Sequence, residues 1–440
     1  MSRKFKLSSF TPSLGGSWRS VLSMMREEKL YSAMYILGTA LAIAFTMLIA
    51  EVYYIKIADI SPEVHRSKTY ILDNYSYQES GFMGYLSADD FFQLFQKMKT
   101  PDYVIAVTDH YNQKQHLKLA DGFYEQDVKT RMVEPGFFRF YQFNFTEGAP
   151  FTQDDFDNAR PLVVITEAIR EMLFGKGKKG VGKTLKVDNL EYRICGIVES
   201  PSVLTENCMA DLWFPFSLEN VAGYDRDFHN LSVNIYFCVS DAKHEAFMQE
   251  LKGVQARFNS MHKDKPMIDI HRDVMKYTTR TWWSIGSMFY IWGADLFWIF
   301  APAIMLLLLV PALNLGGMVA SRMERRLPEM AIRKAFGAKR RTLLCQVIME
   351  NLMLTLIGGA IGLCLAWTAL YGWRDWVFHI FSDYSEYYDR VPIINGEMFF
   401  GPIIFLIALL TCTVLNVLAA TLPAWFSLRK PIVESMMIRK

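Results

Sequence analysis

The sequence lacks the residue patterns that mark the common catalytic and metal sites. Its eight histidines are scattered, with no H-E-x-x-H and no pair at helical spacing, and no G-x-S-x-G segment is present. Its six cysteines include no C-x-x-C pair. These absences argue against a zinc-dependent or serine-based hydrolase and against a structural metal site. They predict that the chain has no catalytic residue and no metal or cofactor of its own.

Charged residues are also absent from four long stretches, Leu30–Ala50, Leu296–Ser321, Asn351–Trp373 and Met398–Leu428. Each stretch is long enough to cross a bilayer as a helix, which takes about 20 apolar residues. The rest of the chain has an ordinary soluble composition. The pattern excludes a plain soluble enzyme and a channel with many spans. The first stretch is too long for the apolar region of a secretory signal.

The distribution of lysine and arginine predicts the orientation of the spans. Basic residues are concentrated before the first span, in the loop after the second and in the C-terminal tail, whereas the loop after the third is mainly acidic. Both termini and the second loop are therefore expected in the cytoplasm, with the spans in the inner membrane. The near balance of 47 basic and 45 acidic residues gives no reason to expect nucleic-acid binding.

The predicted fold class is a membrane α-helical protein with four transmembrane helices and a large mixed α+β extracytoplasmic domain between helices 1 and 2. An aromatic belt is expected where the second helix enters the membrane, from Trp282, Trp283, Tyr290, Trp292 and Trp298. The expected segments are a cytoplasmic amphipathic N-terminal helix at 1–29, transmembrane helix 1 at 30–52, the outer domain at 53–293, transmembrane helix 2 at 294–321, a cytoplasmic loop at 322–350, transmembrane helix 3 at 351–373, a short outer loop at 374–397, transmembrane helix 4 at 398–428 and a cytoplasmic tail at 429–440.

The outer segment is large enough for a domain with its own core. Its apolar patterns predict strands at Tyr103–Thr108, Pro161–Thr166, Leu185–Val187, Tyr192–Val198 and Leu231–Val239, and helices at Ala88–Met98, Glu167–Phe174 and Asp241–Asn259. Cys195, Cys208 and Cys238 also lie here. Three cysteines force no pairing, so we expect buried free thiols, and one disulfide stays open as an alternative.

One segment of the outer domain matches a nucleotide-binding motif. Residues Gly177 to Thr184 fit G-x-x-x-x-G-K-[ST] at every defined position. Such a loop cradles phosphates when a strand precedes it and a helix follows it. Here a predicted helix, Glu167–Phe174, comes before the segment and a strand hairpin comes after it. We therefore expect a basic glycine-rich turn that binds no nucleotide.

The loop after the second span combines charged and apolar side chains. Pro328 is expected to break the incoming helix, and Gly337 to end a short transverse helix over Glu329–Phe336. Apolar side chains on this helix would be exposed without a partner, which a merely solvated basic loop does not require. The predicted partner-binding residues are Glu329, Met330, Ile332, Arg333, Lys334, Phe336 and Gly337.

The same segment carries a family resemblance. The run R-L-P-E-M-A-I-R-K-A-F-G-A-K-R from Arg326 to Arg340, followed by Gln346, Glu350 and Gly358 to Gly362, resembles the signature of FtsX/MacB-type ABC transporter permeases. The outer stretches 133–138 and 163–185 are similar to the V-x-P-x-F-F and V-I-[ST]-E … L-F-G … [VI]-G-K-T stretches of the MacB-type periplasmic core domain. The resemblance covers nearly the whole chain and accounts for the nucleotide-motif match.

The resemblance implies a non-catalytic permease subunit that transmits movement to its outer domain. Such a subunit would pair with a second copy or a paralogue and bind cytoplasmic ATPase subunits, which would hold ATP and Mg²⁺. A periplasmic adaptor is a further expected partner. Some family members carry the ATPase on the same chain. Because the first apolar stretch begins at Leu30, we expect the ATPase here on a separate polypeptide.

Small residues in the predicted spans permit close helix packing. They are Gly316 and Gly317 in the second span, and Gly358 and Gly362 in the third. Two interpretations stay open, which are packing within one subunit and contact between two subunits of a dimer.

Several functions stay open for the outer domain. Within the family they are efflux, export of a lipoprotein or peptide, and control of cell-wall hydrolases, and the size of the domain favours efflux or export. A membrane receptor for an external ligand is an alternative from another class. It would need a cytoplasmic signalling domain, which a predicted tail of 12 residues does not provide. An ion channel would need charged residues lining a pore.

Overall fold

The computed structural model describes residues 23, 25–76, 83–108, 115–118, 127–187, 190–202, 204–220, 231–263, 267–281, 295–374 and 402–429. The chain divides into two compact units. The helical unit comprises Met1–Tyr54, Ile291–Tyr387 and Asn395–Lys440, and the outer unit comprises Ile55–Tyr290 and Tyr388–Ile394. Several predicted features lie mostly outside the described residues: the amphipathic N-terminal helix, of which residues 23 and 25–29 are described, the aromatic belt except for Trp298, the short loop at 374–397 and the C-terminal tail.

The described helices are α1 Lys29–Ile57, α2 Ala88–Asp90, α3 Phe137–Phe140, α4 Gln153–Asp157, α5 Glu167–Phe174, α6 His244–Met261, α7 Ile270–Asp273, α8 Asp295–Ala335, α9 Arg340–Gly372 and α10 Pro402–Arg429. A π-helical turn covers Phe91–Phe95, and 3-10 turns cover Arg66–Lys68, Phe216–Asn220 and Asp241–Lys243.

Within the described residues, three helices are long and apolar enough to cross a membrane. They are α1, α9 and the part of α10 from Phe405 to Phe426. Their positions match the first, third and fourth predicted spans. Helix α8 covers the second predicted span but is not among the three, so the count of four spans stays a prediction.

Helix α8 corrects the prediction made for Pro328. One continuous helix runs from Asp295 to Ala335, so the expected break at Pro328 and the separate transverse helix are wrong. A proline inside a helix removes one hydrogen bond and costs about 3 kcal/mol. Leu327, Met330 and Ala331, which flank the proline, are all buried. Their packing offsets the lost bond, because full burial of an aliphatic side chain contributes about 1.5–3 kcal/mol.

The helical unit has an apolar core with a polar centre. Tyr35 of α1 packs in the core with side chains of α8, α9 and α10, and its hydroxyl lies 3.1 Å from that of Thr355 in α9. Asn416 of α10 donates to the same threonine at 3.2 Å. Buried polar groups need such partners, and these bonds link three helices at one level of the bundle.

The outer unit is built on a large mixed sheet. Its described strands are β1 Thr69–Leu72, β2 Tyr75–Ser76, β3 Met83–Gly84, β4 Leu86–Ser87, β5 Tyr103–Thr108, β6 Gln115–Lys118, β7 Asp127–Val128, β8 Thr130–Val133, β9 Phe145–Gly148, β10 Leu162–Thr166, β11 Thr184–Val187, β12 Leu190–Val198, β13 Leu212–Pro215, β14 Ser232–Cys238 and β15 Met275–Lys276. The strand order is β15-β1-β14-β5-β8-β13-β10-β12-β11-β6-β7, with β4 added to β14 and β9 to β12, while β2 and β3 pair separately.

Two apolar clusters cover the faces of this sheet. In β14, Ile235 and Phe237 belong to one cluster and Tyr236 and Cys238 to the other, as expected when successive side chains of a strand point to opposite faces. The first cluster includes the apolar stripe of α6, and the second includes the aromatic side chains of α3 and Trp213. Both faces of the sheet are therefore buried at β14, whereas one face of β11 is exposed.

Most of the predicted strands and helices of the outer domain are confirmed. The predicted helix Ala88–Met98 is instead the short helix α2 followed by the π-helical turn Phe91–Phe95. The strand Tyr103–Thr108 and the helix Glu167–Phe174 have the predicted bounds, and the others differ at their ends by a few residues. Cys195, Cys208 and Cys238 are free, as expected; Cys208 and Cys238 are buried, and Cys195 is only partly buried. Burial raises the pKa of Cys195 to about 12 and that of Cys238 to about 11. These thiols are therefore protonated and unreactive at neutral pH.

Candidate partner-binding turn

The C-terminal end of α8 is closed by a glycine. Gly337 has a φ of +94°, which L side chains rarely adopt, and its N–H donates to the carbonyl of Lys334 at 2.9 Å. The N–H of Ala338 donates to the carbonyl of Arg333 at 3.0 Å. This pair of bonds is a Schellman motif, which satisfies carbonyl groups that the end of a helix would leave without partners. The predicted stop at Gly337 is confirmed.

The last three turns of α8 have one buried and one exposed face. Met330 is only 5% exposed, packs in the core of the helical unit and is not available to a partner, so its predicted exposure is wrong. It continues a buried stripe formed by Val319, Met323 and Leu327, which lie at helical spacing. On the opposite face Ile332 is 49% exposed and Phe336 is 87% exposed.

Charged residues surround these two exposed apolar side chains. Arg333 donates to Glu329 at 2.6 Å within the helix and to Gln346 of α9 at 3.1 Å. Glu329 and Arg333 therefore pair with each other in this chain, and both remain about half exposed. Lys334 is partly buried beside them. The exposed end of α8 and the following turn thus combine an apolar anchor with groups of both charges; we call residues 329–337 the coupling turn.

A buried carboxylate, whose partners the sequence did not reveal, lies close to the coupling turn. Glu350 of α9 is 1% exposed, and it accepts from Arg326 at 2.8 Å and from Arg322 at 3.2 Å. Arg322 also pairs with Glu28 at 2.8 Å and lies over the ring of Tyr31. Gln346 donates to Glu350 at 3.1 Å, so the residue that contacts Arg333 also contacts this carboxylate. The signal for this network was the Gln346 and Glu350 pair at helical spacing.

Three of the four predicted glycines lie against other helices of the same chain. A Cβ added at Gly358 would lie 2.9 Å from Thr39, and one added at Gly362 would lie 2.6 Å from the carbonyl oxygen of Ala40. Gly316 packs against Ala419 in the same way, at 3.1 Å. A Cβ on Gly317 would meet nothing within 4 Å. The structure therefore gives Gly358 and Gly362 a role in packing α9 against α1, and a role of any of them in a dimer stays a prediction.

The segment that matches a nucleotide-binding motif has its N–H groups engaged elsewhere. Helix α5 precedes it and β11 follows it, as predicted. The N–H of Gly180 donates to the carboxylate of Glu147 at 3.1 Å, and that of Gly182 to the carbonyl of Ile194 at 2.9 Å. The ammonium of Lys183 lies 4.1 Å from the centre of the Phe174 ring. A carboxylate thus occupies a position where a phosphate would need a donor.

Metal-ligating side chains do not cluster in the described part of the chain. No group of three or more histidine, cysteine, aspartate or glutamate residues there is arranged to hold a metal ion. That the chain holds no metal and no cofactor stays a prediction.

Comparison with known proteins agrees with the two-unit organisation. Residues 32–254 match the profile of the MacB-like periplasmic core domain, which is half of the chain, and residues 299–432 match that of the FtsX-like permease C-terminal domain. The chain is a membrane permease of the ABC transporter class. It belongs to the FtsX/MacB-type family, as its sequence signature indicated.

Curated relatives are distant in sequence. The macrolide export ATP-binding/permease protein MacB of Escherichia coli O157:H7 is 22% identical over 430 residues, and that of Shigella flexneri is equally similar. The match covers 95% of this chain but 59% of the relative, so the chain spans less than two thirds of the length of these proteins.

Solved structures of outer domains are also similar to part of the chain. The periplasmic region of MacB from Actinobacillus actinomycetemcomitans aligns with 49% of this chain and 92% of its own length, at 17% identity and a TM-score of 0.37. The extracellular domain of the noncanonic ABC-type transporter YknZ from Gram-positive bacteria aligns with 47% of this chain and 99% of its own length, at 15% identity and a TM-score of 0.35.

Proposed function

We propose that this chain is the permease subunit of an ABC transporter that couples ATP hydrolysis in the cytoplasm to movement of its outer domain. The hydrolysis takes place on a separate ATPase chain, which holds ATP and Mg²⁺, and the outer movement drives efflux or the export of a lipoprotein or peptide. The chain lies in the inner membrane with both termini in the cytoplasm, and it pairs with a second copy or a paralogue.

The coupling turn is the observation that carries this proposal. An aromatic side chain that is 87% exposed, at the capped end of an ordered helix, is typical of a surface that another protein covers. The turn ends a helix that begins at the second predicted span, and the lysine and arginine residues around it support a cytoplasmic location. A cytoplasmic ATPase is a partner that could cover this exposed apolar surface and that lies on the same side of the membrane.

The buried charges of the helical unit favour movement of the outer unit over passage of a solute between the helices. In the described part of the helical unit, the buried charged side chains lie near the ends of the helices: Glu350 is paired with Arg322 and Arg326, and Glu51 lies near the C-terminal end of α1. A solute path through a bundle usually shows ionisable groups facing a water-filled cavity. The helical unit is therefore better suited to holding and moving the outer unit.

The test is the double substitution Ile332→Ala with Phe336→Ala. Central apolar anchors of an interface cost about 2 kcal/mol or more when they are truncated, a factor of about 30 in affinity for each. We expect the double variant to lose the ATPase during purification in mild detergent and to lose coupled hydrolysis in proteoliposomes. The native host supplies the ATPase, which mass spectrometry of the purified complex identifies.

A matched control is Met267→Ala, which removes a side chain that is 63% exposed in the outer unit. This variant should retain the ATPase in full. Retention of the ATPase by the double variant would show that the coupling turn is not the contact. If no ATPase accompanies the unaltered chain, the receptor alternative is favoured over the transporter.

A further inference from the structure

Arg66 forms an extensive buried polar contact in the outer unit. Its side chain is 2% exposed and donates to three different parts of the chain. Nε donates to Glu63 at 2.6 Å, Nη1 to the carbonyl of Ile55 at 2.7 Å, and Nη2 to the carbonyl of Leu204 at 2.8 Å. A guanidinium has five N–H groups in a fixed plane, so one residue can hold three separated acceptors at once.

One of these acceptors belongs to the last turn of α1. The carbonyl of Ile55 is among the four at the end of this helix that have no partner within it. A cation at this position satisfies the carbonyl group and interacts favourably with the negative end of the helix dipole. The carbonyl of Ala58, just past the end of α1, lies 3.3 Å from the same Nη1 atom. Arg66 therefore caps α1 where the helix enters the outer unit.

Glu63 extends the contact to the loop after β12. Its second oxygen accepts from the N–H of Asn207 at 2.8 Å and from the N–H of Cys208 at 3.0 Å. Arg131 of β8 donates to the carbonyl of Asn207 from the other side. The loop at 204–208 is therefore held between β8 in the sheet and the Glu63–Arg66 pair.

A residue near the C-terminal end of the main segment of the outer unit also contacts the guanidinium of Arg66. The ring of Tyr277 lies 5.5 Å from the central carbon of Arg66, and this tyrosine is 8% exposed. Tyr277 follows β15, and the chain continues from it to α8. The segment that arrives from α1 and the segment that leaves toward α8 thus both contact Arg66. We call Glu63, Arg66 and these partners the Arg66 cluster.

From this convergence we propose that the Arg66 cluster is the joint through which displacement of α1 is passed to the outer domain. The inference rests on the proposed function, because it assigns a positioning role to Arg66 and Glu63 within that movement. Breaking a buried ion pair by removing one partner is strongly destabilising, since the other charge is left without compensation. Nε, Nη1 and Nη2 of Arg66 are all bonded, so the guanidinium is held in one position, and a joint held in this way transmits a displacement that a flexible linker would absorb.

The test uses the full chain with its ATPase in lipid nanodiscs, studied by hydrogen exchange with and without ATP and vanadate. The variants are Arg66→Lys, which keeps the charge but not the three-way fork, and Glu63→Gln. In the absence of nucleotide, peptides containing Asn207 and Cys208 should exchange about tenfold faster in the variants, because a bond to a charged acceptor is weakened. The ATP-dependent difference in exchange across the outer unit should fall by a factor of about 2 to 30, the range found for substitutions that change coupling between sites. The rate of ATP hydrolysis should stay the same.

The control is Arg160→Gln, which removes an exposed ion pair of the same unit and should change none of these measurements. If Arg66→Lys fails to fold, Glu63→Gln carries the same comparison. Faster exchange at Asn207 and Cys208 with an undiminished response to ATP would overturn the inference, since the cluster would then only stabilise the domain. If the unaltered complex shows no ATP-dependent change in the outer unit, the proposed function itself is wrong, and so is the role proposed for the Arg66 cluster.

Discussion

Substitution of Gly362 by alanine should weaken the packing of α9 against α1 in the helical unit. The added Cβ would lie 2.6 Å from the carbonyl oxygen of Ala40 and 3.1 Å from the Cβ of Ile43. The first of these atoms belongs to the backbone and cannot rotate away. The two helices must therefore separate by about 0.8 Å to restore an ordinary contact.

The expected loss of stability is estimated by comparing Gly362→Ala with the same substitution at a second glycine, Gly317. Alanine is favoured over glycine in a helix by about 1 kcal/mol, and this gain applies equally to Gly317→Ala in α8. Gly317 has open space around it, so its substitution adds no clash. Overpacking a well-packed interior typically costs about 1–3 kcal/mol. We therefore expect Gly362→Ala to be less stable than Gly317→Ala by that amount.

The assay is thermal unfolding of both variants in the same detergent, repeated at two protein concentrations. A difference of about 1–3 kcal/mol corresponds to a midpoint several degrees lower for Gly362→Ala. Equal midpoints would refute the reasoning from helix packing. A deficit that disappears at the higher protein concentration would instead place Gly362 in contact between two subunits.

Two further predictions concern the outer unit. The purified chain should show no saturable ATP binding by calorimetry, before or after Lys183→Ala; micromolar binding lost in the variant would contradict the geometry around Gly180 and Gly182. Burial raises the pKa of Glu134 to about 8, above its value of about 4.5 in the unfolded chain. The folded state therefore binds the proton more tightly, and stability of the outer unit falls as pH rises from about 4.5 through about 8. Glu134→Gln should remove this fall, which is on the order of 5 kcal/mol at about 1.36 kcal/mol per pKa unit, and urea unfolding at pH 5, 7 and 9 measures it; an unchanged pH profile would show that Glu134 titrates normally.

Local patterns in the sequence were sufficient for the elements of the outer unit. Helix α5 has its predicted bounds. Thr166 caps its start, since its hydroxyl accepts from the N–H of Ile169, and Gly175, with a φ of +86°, follows its last residue. Those signals lie within a few residues of the element itself. Strand β5 was predicted with equal accuracy from its run of β-branched residues.

Features that depend on distant residues were not visible in the sequence. Met330 was misplaced because the local effect of Pro328 was weighed without the packing of α8 against its neighbours. Glu350 is paired with arginines 24 and 28 residues away, and Arg66 bonds to a carbonyl 138 residues away. Pattern reading assigns a residue to a helix or strand, but it does not show which buried charges meet across the fold.

The strand order has a consequence for how the outer unit is made. Strand β1 is among the first strands of the unit to be synthesised, yet it lies between β14 and β15, and its partners in β14 follow more than 160 residues later. At synthesis rates of about 5–20 residues per second, β1 waits roughly 10–30 s before its neighbour exists. During this time its backbone donors and acceptors are exposed, and such strands pair readily with other chains. The newly made outer unit is therefore open to mispairing with other chains until its last strands emerge.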